Sequence, residues 1–386
     1  MNIAIDIRCL MDKNRSGVGE YTYNLLKNLF EIDKKNYYFL FYNSFKKIKL
    51  NLPRFEFPHV RFLPFNYPNK LFNLMLCFGE NPKIDELIFK KYKISIDLFF
   101  LPNLNFIALG EKCRKITVVH DLSFISHSEF YSLKRQIWHY LVATKKLFSD
   151  SEKIICVSQN TKNDLLNFYK IAEEKAKVVY SGITEDYKKI KVNDFKLDQL
   201  KKKYDLPNNF IFSLGTLEPR KNIIAIISAF EKINIEFQNE NLYLVIAGNS
   251  GWKYQSIFNL AKKSKKRYFI KFLNYVEPCD KIYLYNLAKA FVFPSIYEGF
   301  GFPPLEAMAC ETPVIASNNS CFPEILGDSA LLVNPYNISE IRLALNLVLK
   351  NQELRENLIA KGKEQVKKYS WKNCAKEVLS VLENNL

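Results

Sequence analysis

The sequence predicts an α/β protein with two doubly wound parallel sheets. Short apolar runs alternate with amphipathic helical patterns along the chain, which is the order expected of parallel βαβ units. A polar, lysine-rich stretch at residues 185–207 interrupts this alternation, and the pattern then starts again. With 386 residues, the chain is long enough for two domains of ordinary size, each with a core of its own.

In the first half, we predict strands at the short apolar runs and helices at the longer amphipathic segments. The strands are Ile3–Ile7, Tyr38–Tyr42, Asp97–Leu101, Ile116–Val119, Ile154–Val157 and Lys177–Val179. The helices are Gly19–Phe30 and Ser132–Phe148, and the second has Trp138 on its apolar face. Residues 1–184 therefore have the pattern of one complete domain.

The second half repeats this pattern. Its predicted strands, with helices between them, are Phe210–Leu214, Leu242–Ala247, Tyr268–Phe272, Ala290–Phe293, Pro313–Ala316 and Ala330–Val333. We therefore expect a first domain over residues 1–184, a linker over 185–207, and a second domain over 208–368, followed by a helix over 369–386.

The composition is that of a globular protein. Hydrophobic residues make up 48% of the chain and charged residues 25%, which excludes an intrinsically disordered protein. The apolar runs are shorter than the roughly 18–20 residues of a membrane-spanning helix, and Asp6 and Arg8 interrupt the N-terminal run where a signal peptide would be continuous. The eight cysteines are scattered without a C-x-x-C pair, so we expect reduced thiols and a cytoplasmic location.

The net charge of +16 favours polyanions or anionic membrane surfaces as partners. Nucleic acid is not expected, because no zinc-finger, RRM-like or helix-turn-helix signature accompanies the charge. Basic and aromatic segments of the first half are candidates for contact with the inner face of the membrane. They are Tyr67, Lys70, Leu71, Phe72, Leu74 and Met75, followed by Phe89 to Lys93. The alternative is that these segments pack on their own domain.

Two glutamates follow the fourth predicted strand of the second half. Glu298 lies in a glycine-containing loop, and we expect Glu306 in the first turn of a helix that starts at two prolines. Open α/β sheets bind ligands at the carboxyl ends of their strands, so both carboxylates can face one cleft. Gly299 and Gly301, on either side of Phe300, permit close approach of the backbone to a ligand. The structural alternative is that acidic groups simply favour a helix start.

A second cluster follows the strand Phe210–Leu214. Gly215 ends this strand, and a helix is expected to begin near Asn222. Arg220 and Lys221 therefore stand where free N–H groups and the helix dipole favour an anion. Arginine offers a fork to phosphate oxygens and lysine a compact charge, so the pair suits a diphosphate. Two solvated cations at a helix end are the structural alternative.

Two positions of the first half are further candidates. Gly17 and Gly19 lie between a strand and a helix, where glycine lets backbone amides approach an oxyanion. The third glycine of G-x-G-x-x-G is missing, which argues against a Rossmann dinucleotide site. His120, followed by Asp121, ends the strand ITVVHD. The alternatives are a plain tight turn for the glycines and, for His120, a core histidine bonded to a backbone carbonyl.

The stretches EGFGFPPLEAMA, TPVIAS and PEILGDSALLV occur in the order found in retaining GT-B glycosyltransferases of the large E-x7-E group, which is similar to glycosyltransferase family 4. GTLEPRKN resembles the donor-phosphate loop of that family. The resemblance covers both halves and implies two Rossmann-like domains that face each other across a cleft. It also implies that the last helix, with Trp371, crosses back onto the first domain. The family commonly has glycine where this chain has Glu311, at a helix end that favours a left-handed turn.

The resemblance implies a role for each candidate residue. By this likeness, Glu306 binds the ribose hydroxyls of a nucleotide sugar. Glu298 holds hydroxyls of the donor sugar and steadies positive charge at the anomeric carbon, and His120 contacts the sugar. No residue stands out as a nucleophile. The family's usual proposal is a front-face displacement, in which the leaving phosphate helps to deprotonate the acceptor.

The same likeness implies how the diphosphate is held. Arg220 and Lys221 bind it, and the loop of Gly17 and Gly19 backs it from the first domain. The other donor-binding positions are Gly215, Phe300 and Gly301. No metal and no other cofactor are expected, because the chain has no D-x-D triplet and the two cations can neutralise the diphosphate instead.

The overall pattern is most similar to bacterial mannosyl- and related transferases of surface-polysaccharide assembly. This resemblance implies a nucleotide-sugar donor, with GDP-mannose as the first choice, and a growing glycan, lipid-linked in this interpretation, as the acceptor. Two alternatives come from other classes of protein. One is a nucleotide-sugar epimerase with the same fold, and the other is a binding protein that keeps the donor pocket without turnover.

Overall fold

In the computed structural model, the described residues are 1–12, 15–45, 52–78, 81–191, 194–233, 236–237 and 240–383. The chain folds into two compact units. The first unit consists of Met1–Ser126, Leu133–Gly182 and Ser370–Leu386, and the second of His127–Ser132 and Ile183–Tyr369. Each unit has a parallel sheet and an apolar core of its own.

The sheet of the first unit has, within the described ranges, seven parallel strands in the order β3-β2-β1-β4-β5-β6-β7. They are β1 (Asn2–Asp6), β2 (Tyr37–Asn43), β3 (Val60–Phe65), β4 (Leu98–Leu101), β5 (Arg114–Val119), β6 (Lys153–Cys156) and β7 (Ala176–Val178). The helices are α1 (Gly17–Ile32), α2 (Asn69–Phe78), α3 (Ile84–Tyr92), α4 (Ser123–Ser126), α5 (Leu133–Leu141), α6 (Thr144–Ser149) and α7 (Gln159–Tyr169). Most residues of β1, β2, β4, β5 and β6 are buried because both faces of a parallel sheet are covered.

The sheet of the second unit has, in the described part of the chain, six parallel strands in the order β12-β11-β8-β13-β14-β15. The strands of this unit are β8 (Phe210–Leu214), β9 (Glu236–Phe237), β10 (Glu240–Asn241), β11 (Tyr243–Ala247), β12 (Ile270–Phe272), β13 (Ala290–Phe293), β14 (Val314–Ser317) and β15 (Leu331–Val333). Of these, β9 and β10 form a separate antiparallel pair.

The helices of the second unit are α8 (Phe195–Tyr204), α9 (Ile223–Glu231), α10 (Gln255–Lys263), α11 (Pro278–Leu287), α12 (Phe302–Ala309), α13 (Phe322–Leu326), α14 (Ile338–Lys350) and α15 (Gln352–Val366). The last helix, α16 (Trp371–Glu383), belongs to the first unit. There the ring of Trp371 meets the edge of Tyr21 on α1, with 5.7 Å between ring centroids.

Besides the helices α2, α3, α4 and α7, which the sequence analysis does not include, one strand and one helix of the first unit differ from the sequence prediction. The sequence does not predict β3, because Arg61 and Pro64 interrupt its apolar run. Proline is tolerated there because β3 is an edge strand. The helix predicted over Ser132–Phe148 is two helices, α5 and α6, since Ala143 between them has a left-handed backbone with φ of 51°.

The stretch predicted to be a linker contains helix α8. Leu197 and Leu200 on this helix are buried. Lys203 and Tyr204 at its end both donate to Asp280 of α11, at 2.6 and 2.7 Å. The high lysine content of the predicted linker therefore reflects the exposed face of α8. A helix that packs on one side of a domain turns its polar side to solvent.

The end of α12 has the left-handed turn that the sequence analysis expects. Glu311 has φ of 58°, and its N–H donates to the carbonyl of Met308 at 2.9 Å. A side chain at such a position is strained, because Cβ crowds the backbone. The carboxylate of Glu311 lies 2.8 Å from Lys363 in an exposed ion pair, which contributes little.

Replacing Glu311 with glycine should therefore raise the free energy of unfolding by about 0.5–1 kcal/mol, the relief of strain less the entropy that glycine adds to the unfolded chain. Glu311→Ala is the matched control, because it loses the same ion pair and keeps the strained backbone. Urea unfolding of both variants measures the difference. Equal midpoints for the two variants would contradict the strain.

Candidate functional site

The loops that follow β8 and β13 carry the candidate residues of the second unit. These strands are neighbours in the sheet, with Ile211 paired to Ala290. Because the strands are parallel, both loops leave from the same edge of the sheet. The chain makes a short 3-10 turn at Pro219–Lys221 before α9, and an irregular loop after β13 leads to α12.

Charged side chains from the two loops meet. Arg220 Nη1 donates to Glu298 Oε2 at 2.9 Å, and Lys221 Nζ donates to Glu298 Oε1. Ser295 Oγ also donates to Oε1, at 2.7 Å. On another side, Arg220 Nε donates to Glu218 Oε1 at 3.0 Å. Two carboxylates thus balance two cations in one cluster.

Burial and charge act on Glu298 in opposite directions. The residue is only 9% exposed, and burial by itself raises the pKa of a carboxyl group. The Arg220 and Lys221 cations outweigh burial and lower the pKa of Glu298 to about 2. At neutral pH, Glu298 is therefore an ion and is unsuited to proton transfer.

Hydrogen bonds hold the loop that carries Glu298. Its backbone N–H donates to Ser320 Oγ at 2.9 Å. Asn222, which begins α9 in a left-handed conformation, donates through Nδ2 to the carbonyls of Pro294 and Pro335, at 3.1 and 2.7 Å. The contacts of Ser320 and Asn222 therefore fix the loop, and with it the position of the Glu298 carboxylate.

The sequence predicts Glu306 in the first turn of α12. It lies in the second turn, because the helix already begins at Phe302. Glu306 Oε2 accepts a hydrogen bond from Tyr285 Oη at 2.8 Å. Burial raises the pKa of Tyr285 well above its usual value, and the nearby Glu306 carboxylate raises it further. The Tyr285 hydroxyl therefore keeps its proton and orients the Glu306 carboxylate.

Phe300 and Gly301 pack tightly at the start of α12. The Phe300 ring is buried against Phe302 and Tyr369, with centroid distances of 5.1 and 5.5 Å. Gly301 has φ of 85°, and a Cβ there would lie 2.7 Å from the Phe322 ring. The Phe300 side chain thus belongs to the core, while Gly301 is required by both its conformation and its surroundings.

Sequence reasoning missed three residues that shape this site. Gly248 follows β11, and a Cβ there would lie 1.9 Å from the carbonyl oxygen of Gly215, which follows the adjacent strand β8. A glycine directly after each of two strands was the available signal. Ser295 had a weaker signal, because it also lies close behind a strand. Tyr285 lies inside a helix and had none.

In the first unit, Gly17 and Gly19 both lie in the first turn of α1, which begins two residues before the helix start predicted at Gly19. Ser16 caps this helix, and its Oγ accepts from the N–H of Gly19 at 3.4 Å. A Cβ at Gly19 would lie 3.4 Å from the carbonyl oxygen of Cys9. Glycine thus lets the helix start pack closely against the chain that follows β1.

His120 follows β5 and bonds through Nε2 to the carbonyl oxygen of Pro102 at 2.8 Å. The edge of its ring also meets Tyr21 of α1, with 4.7 Å between ring centroids. Burial lowers the pKa of His120, so the ring is neutral at pH 7. These contacts are those of the structural alternative, a histidine bonded to a backbone carbonyl.

The segments that the sequence analysis nominates for membrane contact lie mostly on the surface. Exposed members are Tyr67, Lys70, Leu71, Leu74, Met75, Phe89, Lys90, Lys91 and Lys93. The prediction is wrong for Phe72, which is buried in the core of the first unit and is not available for membrane contact. Across the described ranges, no helix combines the length and the hydropathy needed to cross a membrane.

Two family models match the chain. The model of Glycosyltransferase Family 4 matches residues 15–187, and the model of Glycosyl transferases group 1 matches residues 194–365. The O-antigen chain mannosyltransferase B of Escherichia coli is 30% identical over 269 residues, which are 69% of this chain and 69% of that protein.

Solved structures show the same fold. Sucrose-phosphate synthase from Thermosynechococcus elongatus has a TM-score of 0.77 at 17% identity, over 99% of this chain and 98% of the other. Anabaena HepE in complex with UDP-glucose has a TM-score of 0.74 at 16% identity, over the whole of both chains. Each unit therefore has the Rossmann-like fold of the domains of GT-B glycosyltransferases.

The low pKa of Glu298 predicts a loss of stability in acid. A carboxyl group whose folded pKa is lowered to about 2 stabilises the fold above its ordinary pKa of 4.5, and this contribution is lost as the pH falls toward 2. Between about pH 6 and pH 3, the wild type should lose about 2 kcal/mol more than Glu298→Gln.

Urea unfolding at both pH values measures this difference. Glu353→Gln, on the exposed surface of α15, is the control and should lose as much stability as the wild type. If Glu298→Gln also loses as much as the wild type, Glu298 is not held as an ion by its two cations.

Proposed function

Because the chain belongs to the glycosyltransferases, we propose that it is a retaining, metal-independent mannosyltransferase that takes its sugar from GDP-mannose. The similarity to an O-antigen chain mannosyltransferase supports both the sugar and a role in polysaccharide biosynthesis. One observation carries the proposed chemistry, which is the convergence of Arg220, Lys221 and Glu298 at the edge of a parallel sheet.

Arg220 and Lys221 are proposed to bind the diphosphate. Glu298 forms an ion pair with each side chain, so the two cations are held close together before a substrate binds. A diphosphate would share these cations with Glu298 and would draw on them more strongly as the glycosidic bond breaks and its charge grows. The same two cations support metal independence, because they can neutralise the leaving group.

Glu298 is proposed to stabilise positive charge at the anomeric carbon. Its pKa of about 2 favours this role over that of a general acid or base, which works best with a pKa near the working pH. This is also an argument against the epimerase alternative, which requires carboxyl groups that exchange protons.

Glu306 is proposed to bind the ribose. A carboxylate has two acceptor oxygens that suit a vicinal diol, and the Tyr285 hydroxyl holds one of them in place. This contact is alike in the ground state and the transition state, so it would contribute to donor binding more than to the chemical step.

In the first unit, His120 is proposed to accept a hydrogen bond from the donor sugar. A neutral imidazole that donates through Nε2 to Pro102 keeps Nδ1 as an acceptor. The amides at the start of α1, where Gly17 and Gly19 lie, are proposed to favour the diphosphate through the helix dipole.

The reaction is proposed to proceed on one face of the sugar. The acceptor oxygen attacks the anomeric carbon on the side from which the diphosphate leaves, and the acceptor proton passes to a diphosphate oxygen. The proposed acceptor is a growing, lipid-linked glycan at the inner face of the cytoplasmic membrane, and the proposed location of the enzyme is the cytoplasm.

The test is GDP release from GDP-mannose with a mannose-terminated glycan, with and without excess EDTA. We expect release that depends on the acceptor and is unchanged by EDTA, together with transfer that keeps the anomeric configuration. Release of UDP from UDP-sugars, without release of GDP from GDP-mannose, would show that the donor is a UDP-sugar. Activity that EDTA abolishes and Mg²⁺ or Mn²⁺ restores would overturn metal independence, and binding without any release would favour the non-catalytic alternative.

Substitutions of the two glutamates should separate their roles. Glu306→Ala should raise KM for the donor at least ~10-fold with a smaller change in kcat, because it removes uniform binding. Glu298→Ala should lower kcat by roughly 30- to 1,000-fold, corresponding to about 2–4 kcal/mol of lost transition-state stabilisation. Steady-state kinetics at saturating acceptor distinguish the two. A change in KM alone for both variants would leave Glu298 with a binding role only.

A further inference from the structure

Helices α2 and α5 of the first unit each expose a row of apolar side chains to solvent. On α2, the exposed side chains Leu71, Leu74, Met75 and Phe78 repeat at helical spacing. On α5, Leu133, Ile137 and Tyr140 are 76%, 58% and 83% exposed and share one face in the same way. We call these seven side chains the apolar face. Single exposed apolar residues are ordinary, but seven on two adjacent helices are not.

The two helices are attached to the same core. Trp138 and Leu141 of α5 and Cys77 of α2 pack against the apolar cluster of the first unit. Cys77 Sγ also lies 3.5 Å from the carbonyl oxygen of Leu141, which joins the ends of both helices. The exposure of Leu133, Ile137 and Tyr140 is thus a feature of a docked helix and not of a detached one.

The charged side chains on α2 and α5 themselves are all cations. The chain has no acidic residue from Asn66 to Phe78 or from Tyr131 to Ser149. The same stretches contain the cations Lys70, Lys134, Arg135, Lys145 and Lys146, all on the surface. An apolar ridge bordered by cations is the pattern of helices that lie in the plane of an anionic membrane surface.

We propose that α5 and α2 together form a membrane-binding surface that inserts the apolar face among anionic phospholipids. Helix α5 is the new part of this surface, because the sequence predicts it as a packed helix with Trp138 on its buried side. A second copy of the chain is a poorer occupant, since a twofold contact through α2 and α5 would bring their cations together, and these two helices carry no carboxylate to offset them.

This proposal rests on the proposed function only for its purpose, which is to hold the enzyme beside a lipid-linked acceptor. Lipid binding itself requires neither a donor nor turnover. A vesicle-binding measurement therefore tests the surface, whereas GDP binding by thermal shift tests the donor site, and either can fail without the other.

The test is co-sedimentation with vesicles of equal parts phosphatidylglycerol and phosphatidylcholine at low salt. Leu133→Ser combined with Ile137→Ser should weaken partitioning at least ~10-fold, because two inserted side chains are lost. Leu343→Ser combined with Leu347→Ser on α14 is the matched control, with the same spacing and with exposures of 52% and 51%. The control pair should bind like the wild type.

Charge provides a second arm of the test. Lys134→Gln combined with Arg135→Gln should weaken partitioning by roughly 25-fold, about fivefold per cation, and the wild type should bind pure phosphatidylcholine poorly. The far-UV circular dichroism spectrum and the urea unfolding midpoint should be close to those of the wild type in every variant, which shows that the chain is folded.

Three results would overturn the proposal. They are no binding of the wild type to the anionic vesicles, binding of the α5 variant at the wild-type level, and a dimer in sedimentation velocity that the α5 variant dissociates.

Discussion

The buried ion pairs of Glu298 are the constraint on which the arrangement of the second unit depends. A carboxylate enclosed in protein is strongly unfavourable unless cations and hydrogen-bond donors compensate for the lost water. Arg220 and Lys221 compensate for it, and they lie 78 and 77 residues away in the chain. The interaction therefore joins two loops that the sheet only brings near one another. It also leaves Glu298 ionised at neutral pH, which limits its chemistry to electrostatics.

The parallel sheet makes this meeting of loops possible. Because β8 and β13 are adjacent and run in the same direction, the loops that carry the cations and the carboxylate emerge side by side. Close contacts between backbone segments, at positions where only glycine fits, then determine where these loops lie. Gly215 and Gly248 allow two adjacent loops to touch, and Gly301 starts α12 in a conformation that another residue would strain. Tyr285, from α11 below the site, orients Glu306 with a single hydrogen bond.

The first unit follows the same architecture with a different surface. Its sheet and core are covered by helices, but α5 buries only part of its apolar side chains. The break at Ala143 separates α5 from α6, so the two helices need not share one axis or one buried face. An unbroken helix over this stretch would have one apolar side, and that side would be expected to face the core.

Local sequence patterns predict the fold class, the positions of most strands and the candidate residues Glu298, Glu306, Arg220 and Lys221. Apolar periodicity is local information, so the strands around Ala290 and Phe210 could be read directly, and the spacing of Glu298 and Glu306 could be recognised. The sequence could not place Pro64 in an edge strand or show that Ile137 faces solvent. These points depend on the tertiary structure, as do the contacts of Glu298 with its cations and of Tyr285 with Glu306. The physical reason is that burial, pKa and hydrogen-bond partners depend on segments far apart in the chain, whose distances are set only when the sheet has formed.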